Sequence, residues 1–348
     1  MIRPYRHINS KFHKIQSFVN HLFLDVIFRA PYIANPTFDT SLVLSKYRPL
    51  LEAVNDEYLL HPLRECYKTC KNLSKKHLKI LKRGVHQNNK IRILCNGNLT
   101  PLEYSDIDLI DENLSKQIKT FFDKLYDEAV NKAVFYNKYG KIEDYYKSIV
   151  GKSRTCRCCG INKVLIKFHS KRSALDHYLP RNHFPFTSIN TNNLLPICDN
   201  CNSKYKLAEN TIFEIIKRNS RIVSKTRKRA FFPFSKIVPF PRIDVEITLN
   251  RALSEDLEPA DMNIKLKCQG YEEQIDTWDR LFGIKENYLV ECCSEEMYSF
   301  YEEQYIADLN FGKTHQQYLD TLESNRLFDM NFLRIAYLKG LNNYSSNS

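Results

Sequence analysis

Two cysteine pairs dominate the middle of this sequence, Cys156-x-x-Cys159 and Cys198-x-x-Cys201, with 38 residues between them. Four thiolates at this spacing suit tetrahedral Zn²⁺, and four protein ligands leave no coordination position open for a substrate. A metal bound there is structural. Cys158, inside the first pair, reads as a spare thiol, while Cys66 and Cys70, one helical turn apart, and the adjacent Cys292 and Cys293 read as packing thiols. The apolar run Phe18–Phe28 is interrupted by Asn20, His21 and Asp25, so it is neither a secretory core nor long enough to span a bilayer. The expectation is a cytoplasmic protein with no membrane association, in a reducing compartment where paired cysteines bind metal more often than they form disulfides.

The insert between the pairs is longer than the roughly 15–20 residues of an ordinary zinc ribbon. It holds Leu175-Asp176-His177-Tyr178-Leu179-Pro180, a loop with Phe184-Pro185-Phe186, and then Asn193-Leu194-Leu195-Pro196-Ile197-Cys198-Asp199-Asn200-Cys201-Asn202. An Asp-His pair in isolation is usually structural, and Asn-Leu-Leu-Pro alone means nothing; their order inside a zinc-pair frame is what carries information. Over about residues 150–215 the sequence resembles the four-cysteine branch of the HNH endonucleases. The resemblance implies a ββα-metal fold, with the Asp-His pair on one strand of a hairpin, an Asn in the loop and a last His or Asn on the helix. It implies His177 as general base toward water, work its near-neutral pKa suits. It implies Asp176 and Asn202 as oxygen ligands for a catalytic divalent ion, Mg²⁺ or similar, and Asn193 as the residue that braces the loop and orients the histidine. Products with 5′-phosphate and 3′-hydroxyl ends follow.

Two positions depart from the family pattern. Asn202 stands where many relatives have His. Tyr205 stands three residues on, where many have Lys, flanked by Lys204 and Lys206. On a helix running from Asp199, Lys206 lies one turn beyond Asn202, as a phosphate contact or a solvated surface lysine. His169 and His183 match no motif position and read as loop or DNA-contact residues.

The formal net charge of +12 favours a polyanionic partner. It is unevenly spread: Arg251–Asp308 contains fifteen acidic residues against five basic ones, so nucleic acid should track the N-terminal and central parts. One basic stripe, Arg64, Lys68, Lys71, Lys75, Lys79 and Lys82, follows helical spacing and reads equally as a solvated helix face. A denser run, Lys217, Arg218, Arg221, Lys225, Arg227, Lys228 and Arg229, leaves the motif directly, with no acid among residues 217–230, and is placed to grip a phosphate backbone. Neither has the form of a base-reading module.

These residues need a scaffold. Leu63, Tyr67, Cys70, Leu78 and Leu81 keep helical spacing after Pro62, with Gly84 where a helix would stop. Ile118, Phe121, Phe122, Leu125, Tyr126, Ala129 and Ala133 repeat the rhythm in a second helix over about 112–139. Asn96-Gly97-Asn98 reads as a turn beside a short strand. The Pro- and Phe-rich stretch 222–242 reads as an extended connector, Ile243–Leu249 and Met262–Cys268 as a strand pair, and Tyr271 onward as helical to about Leu341, with a frayed Ser/Asn tail. The fold class expected is α+β: a mainly helical chain with a central zinc-bound ββα-metal module and a C-terminal α+β region. The segments are 1–145 (helical), 146–218 (nuclease module) and 219–348 (connector, small sheet and helices).

The downstream pattern, with Ile275-Asp276-Thr277-Trp278-Asp279-Arg280-Leu281-Phe282, is similar to the C-terminal part of bacterial HNH proteins of anti-phage systems. The resemblance thus implies a DNA endonuclease acting in antiviral defence. The rivals are an RNase, a non-catalytic zinc-dependent nucleic-acid-binding module, and an interaction subunit silent until a regulatory protein partner such as an ATPase docks on the acidic part. One such site cuts one strand, so double-strand cleavage calls for two events or a homodimer.

Overall fold

The apolar run near the N-terminus becomes the middle of the core. In the computed structural model, which describes residues 3–219, 221–235 and 240–347, Phe18, Val19, Leu22, Phe23, Val26, Ile27 and Phe28 are all buried on successive helical turns between Ile15 and Tyr32. Among the described residues no helix is long and apolar enough to cross a membrane. The helices Leu60–Lys71, Lys75–Asn88 and Glu112–Asp127 pack around this stretch. The last two begin at side-chain caps, Ser74 accepting from the His77 N–H and Asp111 from the Leu114 N–H, which satisfies amide donors that a helix start leaves open. Phe121 and Phe122 meet Phe23 and Phe186 ring to ring, so the N-terminal helices and the central loop share one aromatic knot.

Two local expectations are corrected here. The helix does not stop at Gly84 but runs on to Asn88; a Cβ on Gly84 would lie 2.3 Å from Leu102 Cδ2, so the glycine is there for close packing. Ile91–Cys95 is a short helix, with no strand beside the Asn96-Gly97-Asn98 turn.

Helices take up 53% of the chain, and the described strands form four two-stranded sheets. β1 (Tyr5–Arg6) runs parallel to β6 (Phe234–Ser235). The other three are antiparallel: β2 (Ala174–His177) with β3 (Leu194–Ile197), β4 (Phe213–Arg218) with β5 (Arg221–Arg227), and β7 (Asp244–Leu249) with β8 (Met262–Lys267). The expected strand pair after residue 242 is therefore present. Val245, Ile247 and Leu249 turn one face of β7 inward, where the helix Asn331–Asn347 lies so close that a Cβ on Gly340 would come within 2.7 Å of the Ile247 carbonyl oxygen. That helix continues through the Ser/Asn tail expected to fray.

The expected connector over 222–242 is partly strand: its first residues complete the β4–β5 hairpin, and Phe231 and Phe234 are buried beyond it. Residues 236–239 of that stretch lie outside the described residues. The hairpin also straddles the segment boundary expected at 218/219, and buried apolar residues of all three segments belong to one core.

Candidate metal and catalytic site

Cys156 and Cys159 sit in a tight turn closed by the Gly160 N–H on the Cys156 carbonyl, with Gly160 at φ +80. Cys198 follows β3, and Cys201 lies in the helical segment Asn200–Lys206. The four sulfurs lie within 4.8 Å of one another, all buried, with Cys159 Sγ 3.9 Å from Cys198 Sγ. Zn–S bonds of 2.3 Å in a tetrahedron require separations of about 3.8 Å, so the set can hold a zinc ion. Backbone N–H groups of Cys198 and Cys201 point at the sulfurs of Cys156 and Cys198, the donors an anionic thiolate centre needs. Cys158 is buried but outside this group. Its carbonyl accepts from Trp278 Nε1 (2.7 Å), and the Cys159 carbonyl accepts from the Tyr288 hydroxyl (2.7 Å). The C-terminal helices Glu272–Phe282 and Ile284–Cys292 thus clamp the cysteine turn from behind.

The four cysteines join the start of the insert to its end, and β2, β3 and the short helix follow in that order between and after them. The pairing Asp176↔Leu195 and His177↔Leu194 leaves His177 at the end of β2. Its Nε2 lies 2.9 Å from the Ser188 carbonyl oxygen. A carbonyl only accepts, so Nε2 carries the proton and Nδ1 keeps its lone pair. Tyr126 lies edge to face with the imidazole, ring centroids 4.5 Å apart. Against the near-neutral value expected for a general base, burial depresses the imidazolium pKa to about 3, with Arg181 and Lys206 adding to the effect and the Ser188 contact opposing it. His177 is therefore neutral at physiological pH.

Asn193 fixes this arrangement. Its Oδ1 accepts from Leu179 N (2.7 Å), its Nδ2 donates to Leu179 O (2.9 Å) and to Thr187 O (3.4 Å), and its own carbonyl accepts from Tyr178 N. One fully buried side chain thus ties the chain just after His177 to the chain just before Ser188. The intervening loop is anchored by Phe186, buried at φ +70, a conformation costly for a non-glycine residue and held by the aromatic knot. Asn88 holds the same loop by donating to Pro185 O.

Lys206 departs from both roles expected of it. It lies beyond Asn202 on the same segment, but its ammonium is buried, 3.0 Å from Asp176 Oδ1 and 2.9 Å from the His177 carbonyl oxygen. The reason is the winding. The segment closes with i→i+5 bonds, Leu207 N on Asn202 O at 3.1 Å, and in so wide a turn the residue four on from Asn202 stays on its side. Tyr205 swings away to pack on Gly283, where a Cβ would lie 2.1 Å from the phenol ring. Lys206 is thus unavailable to an external phosphate.

Asp176 is buried, and burial raises its pKa while Lys206 opposes the rise. Its Oδ2 has no hydrogen-bond partner. The Asn202 amide nitrogen faces Ser203 Oγ (3.3 Å), which leaves its Oδ1 uncommitted. Asp176, His177 and Asn202 line one cleft of about 330 Å³ together with Lys119, Asp123 and Arg181. No sequence signal marks the wall formed by Lys119, Asp123 and Arg181, because the Glu112–Asp127 helix that supplies the first two is distant in the chain and reads only by its apolar face. Arg181 grips Asp127 through both terminal nitrogens at 3.0 Å and lies over the Tyr126 ring. His169 is exposed away from the cleft lining, and the His183 carbonyl accepts from Tyr104 N.

The dense basic run divides. Lys225 pairs with Glu103, Lys228 with Glu214 (3.1 Å) and Arg229 with Glu273 (3.6 Å), while Arg227 donates to the carbonyls of Ile212, Lys228 and Leu94. Lys225, Arg227 and Arg229 tie the hairpin base and the chain leaving it to the body, and Lys228 pairs with a residue of β4 itself, so these four of the seven residues expected at a phosphate backbone have partners within the chain. Lys217, Arg218 and Arg221 lie exposed toward the hairpin's end. In the other stripe, Arg64 pairs with Asp56 and Lys71 donates to the carbonyls of Ile33 and Asn35.

No family model, curated protein or solved structure matches this chain.

Proposed function

We propose that the chain is a metal-dependent phosphodiesterase, an HNH-type endonuclease that hydrolyses DNA. One observation carries the reading: a histidine pinned through Nε2 to a backbone carbonyl, with Nδ1 free, lines one cleft with Asn202 and with Asp176, whose buried Oδ2 has no hydrogen-bond partner. In this reading Nδ1 of His177 is the base that takes the proton of the attacking water, and Asn193 and Ser188 fix the ring that carries it. Asp176 Oδ2 and Asn202 Oδ1 are hard oxygen donors suited to a Mg²⁺ ion that keeps several waters; when bound, such an ion supplies positive charge for the phosphate and the departing 3′ oxygen. The four cysteines take Zn²⁺ as a structural knot.

One feature favours a rival, a non-catalytic zinc-dependent nucleic-acid-binding or partner-regulated subunit: Lys206 already neutralises Asp176. Incubation of supercoiled plasmid, single-stranded DNA and RNA with the chain, with and without Mg²⁺, separates the readings. Nicking that requires Mg²⁺ and disappears in His177→Ala supports the nuclease. Equal activity in wild type and variant overturns the mechanism assigned to His177, and no activity in either overturns the nuclease in favour of the non-catalytic subunit.

A further inference from the structure

We infer that the end of the β4–β5 hairpin is a duplex-reading ribbon that enters the major groove of B-form DNA beside the cut site. The inference rests on the nuclease reading and adds the form of nucleic acid that the chain selects.

The hairpin begins eleven residues after Asn202, at Phe213, and its strands of six and seven residues reach roughly 20 Å. Its base is fixed by the Glu103, Ile212 and Leu94 contacts of Lys225 and Arg227. Beyond them, Lys217, Arg218 and Arg221 project with Ile216, Ile222 and Val223, which are 52%, 58% and 59% exposed. The register passes from Ile216↔Ser224 to Lys217↔Ile222, so Val223 has no opposite residue: it is the extra residue of a β-bulge, a device that bends a strand and re-aims its side chains.

Three adjacent exposed aliphatic residues on a projecting hairpin are unfavourable in water unless something covers them. The occupant has to be anionic, because three cations frame the aliphatic residues and no acidic residue occurs in 217–230. Duplex DNA meets both demands: its major groove admits a two-stranded ribbon and presents thymine methyl groups to apolar side chains between two rows of phosphates. The major groove of an A-form RNA duplex is too deep and narrow for such entry.

The test is equilibrium binding of labelled duplex DNA, the same sequence as duplex RNA and as single-stranded DNA, without added divalent ion, over a range of salt. The proteins are wild type, Lys217→Ala/Arg218→Ala/Arg221→Ala, Ile222→Ser/Val223→Ser, and Lys265→Ala/Lys267→Ala/Lys313→Ala as a control of equal charge removed elsewhere. All altered residues are exposed, and an unchanged melting temperature checks the fold. The expected result is a preference for duplex DNA, a loss of at least about tenfold in the first variant, and a salt slope lower by about 2.7, at roughly 0.9 for each phosphate no longer neutralised. The serine variant should lose affinity with its slope unchanged, and the control should lose less than the first variant. Duplex RNA or single strands bound as tightly as duplex DNA, or a hairpin variant indistinguishable from the control, overturns the inference. The two readings fail separately: plasmid nicking that survives His177→Ala sinks the mechanism, whereas nicking abolished in that variant but unaffected by hairpin changes sinks the ribbon.

Discussion

Lys206 and Asp176 face one another inside the protein, Nζ 3.0 Å from Oδ1, with their side chains 1% and 6% exposed. The lysine leaves Oδ2 free and makes a further bond to the His177 carbonyl. It therefore ties the helical segment to β2 at the position where the catalytic chemistry is proposed. Removal of one partner leaves a buried charge alone, which costs more than loss of the pair as a unit.

That asymmetry is measurable. Lys206→Met should lower the unfolding free energy by about 3–5 kcal/mol, the usual cost of breaking a buried pair. Lys206→Met/Asp176→Asn should recover a large part of it. Urea unfolding of the three proteins decides, and a Lys206→Met curve superimposable on wild type would show that the pair carries no stability.

The cysteine site makes a second prediction, independent of catalysis. One zinc ion per chain should be found by elemental analysis. Cys159→Ser should lose it and unfold at lower temperature, because the unfolded chain has no such site and metal binding therefore adds to the folding free energy. Cys158→Ser should keep the metal. Retention by Cys159→Ser together with loss by Cys158→Ser would reverse the assignment of ligands.

Acid should act through His177. Its folded pKa lies near 3, well below the ordinary value of about 6.5. The unfolded chain therefore takes up a proton first, and stability present above about pH 6.5 is lost as pH falls toward 3. Asp176 has the opposite sign: its raised folded pKa means that its burial penalty is relieved in acid. His177→Gln should flatten the decline of melting temperature across this window, and parallel wild-type and variant curves would refute the claim.

Asn193 should act on rate through position alone. Asn193→Ala removes the bonds to Leu179 and Thr187 that set the His177 ring against Ser188. It should lower kcat on plasmid by about tenfold or more, at roughly 1–3 kcal/mol for the unsatisfied buried groups, with KM little changed. Asn193→Asp restores only the acceptor toward Leu179 N and should recover less than half of the loss. A change confined to KM would place Asn193 in substrate binding instead.

What the sequence determined by itself is local and chemical. The cysteine spacing named a metal-binding set because tetrahedral thiolate coordination demands short knuckles, and the four sulfurs do converge. Helical rhythm gave the helix that starts at Glu112, although the stretch expected to be one helix over 112–139 ends at Asp127 and resumes as Ala133–Tyr139, and alternation gave β7 and β8, since both periods follow from backbone geometry. Gly84 misled, because a glycine that ends a helix and one that admits a neighbour look alike until Leu102 is in place; the Asn96-Gly97 turn is present, but a helix and not a strand leads into it. Only the tertiary structure decided which cations were free. Lys206 reads as a surface residue until the wide helical turn points it at Asp176, and Arg227 reads as a phosphate contact until Leu94 and Ile212 present their carbonyls. Charge is a property of the residue, but its availability depends on partners brought from elsewhere in the chain: Asp176 lies thirty residues before Lys206, and Leu94 lies 133 residues before Arg227.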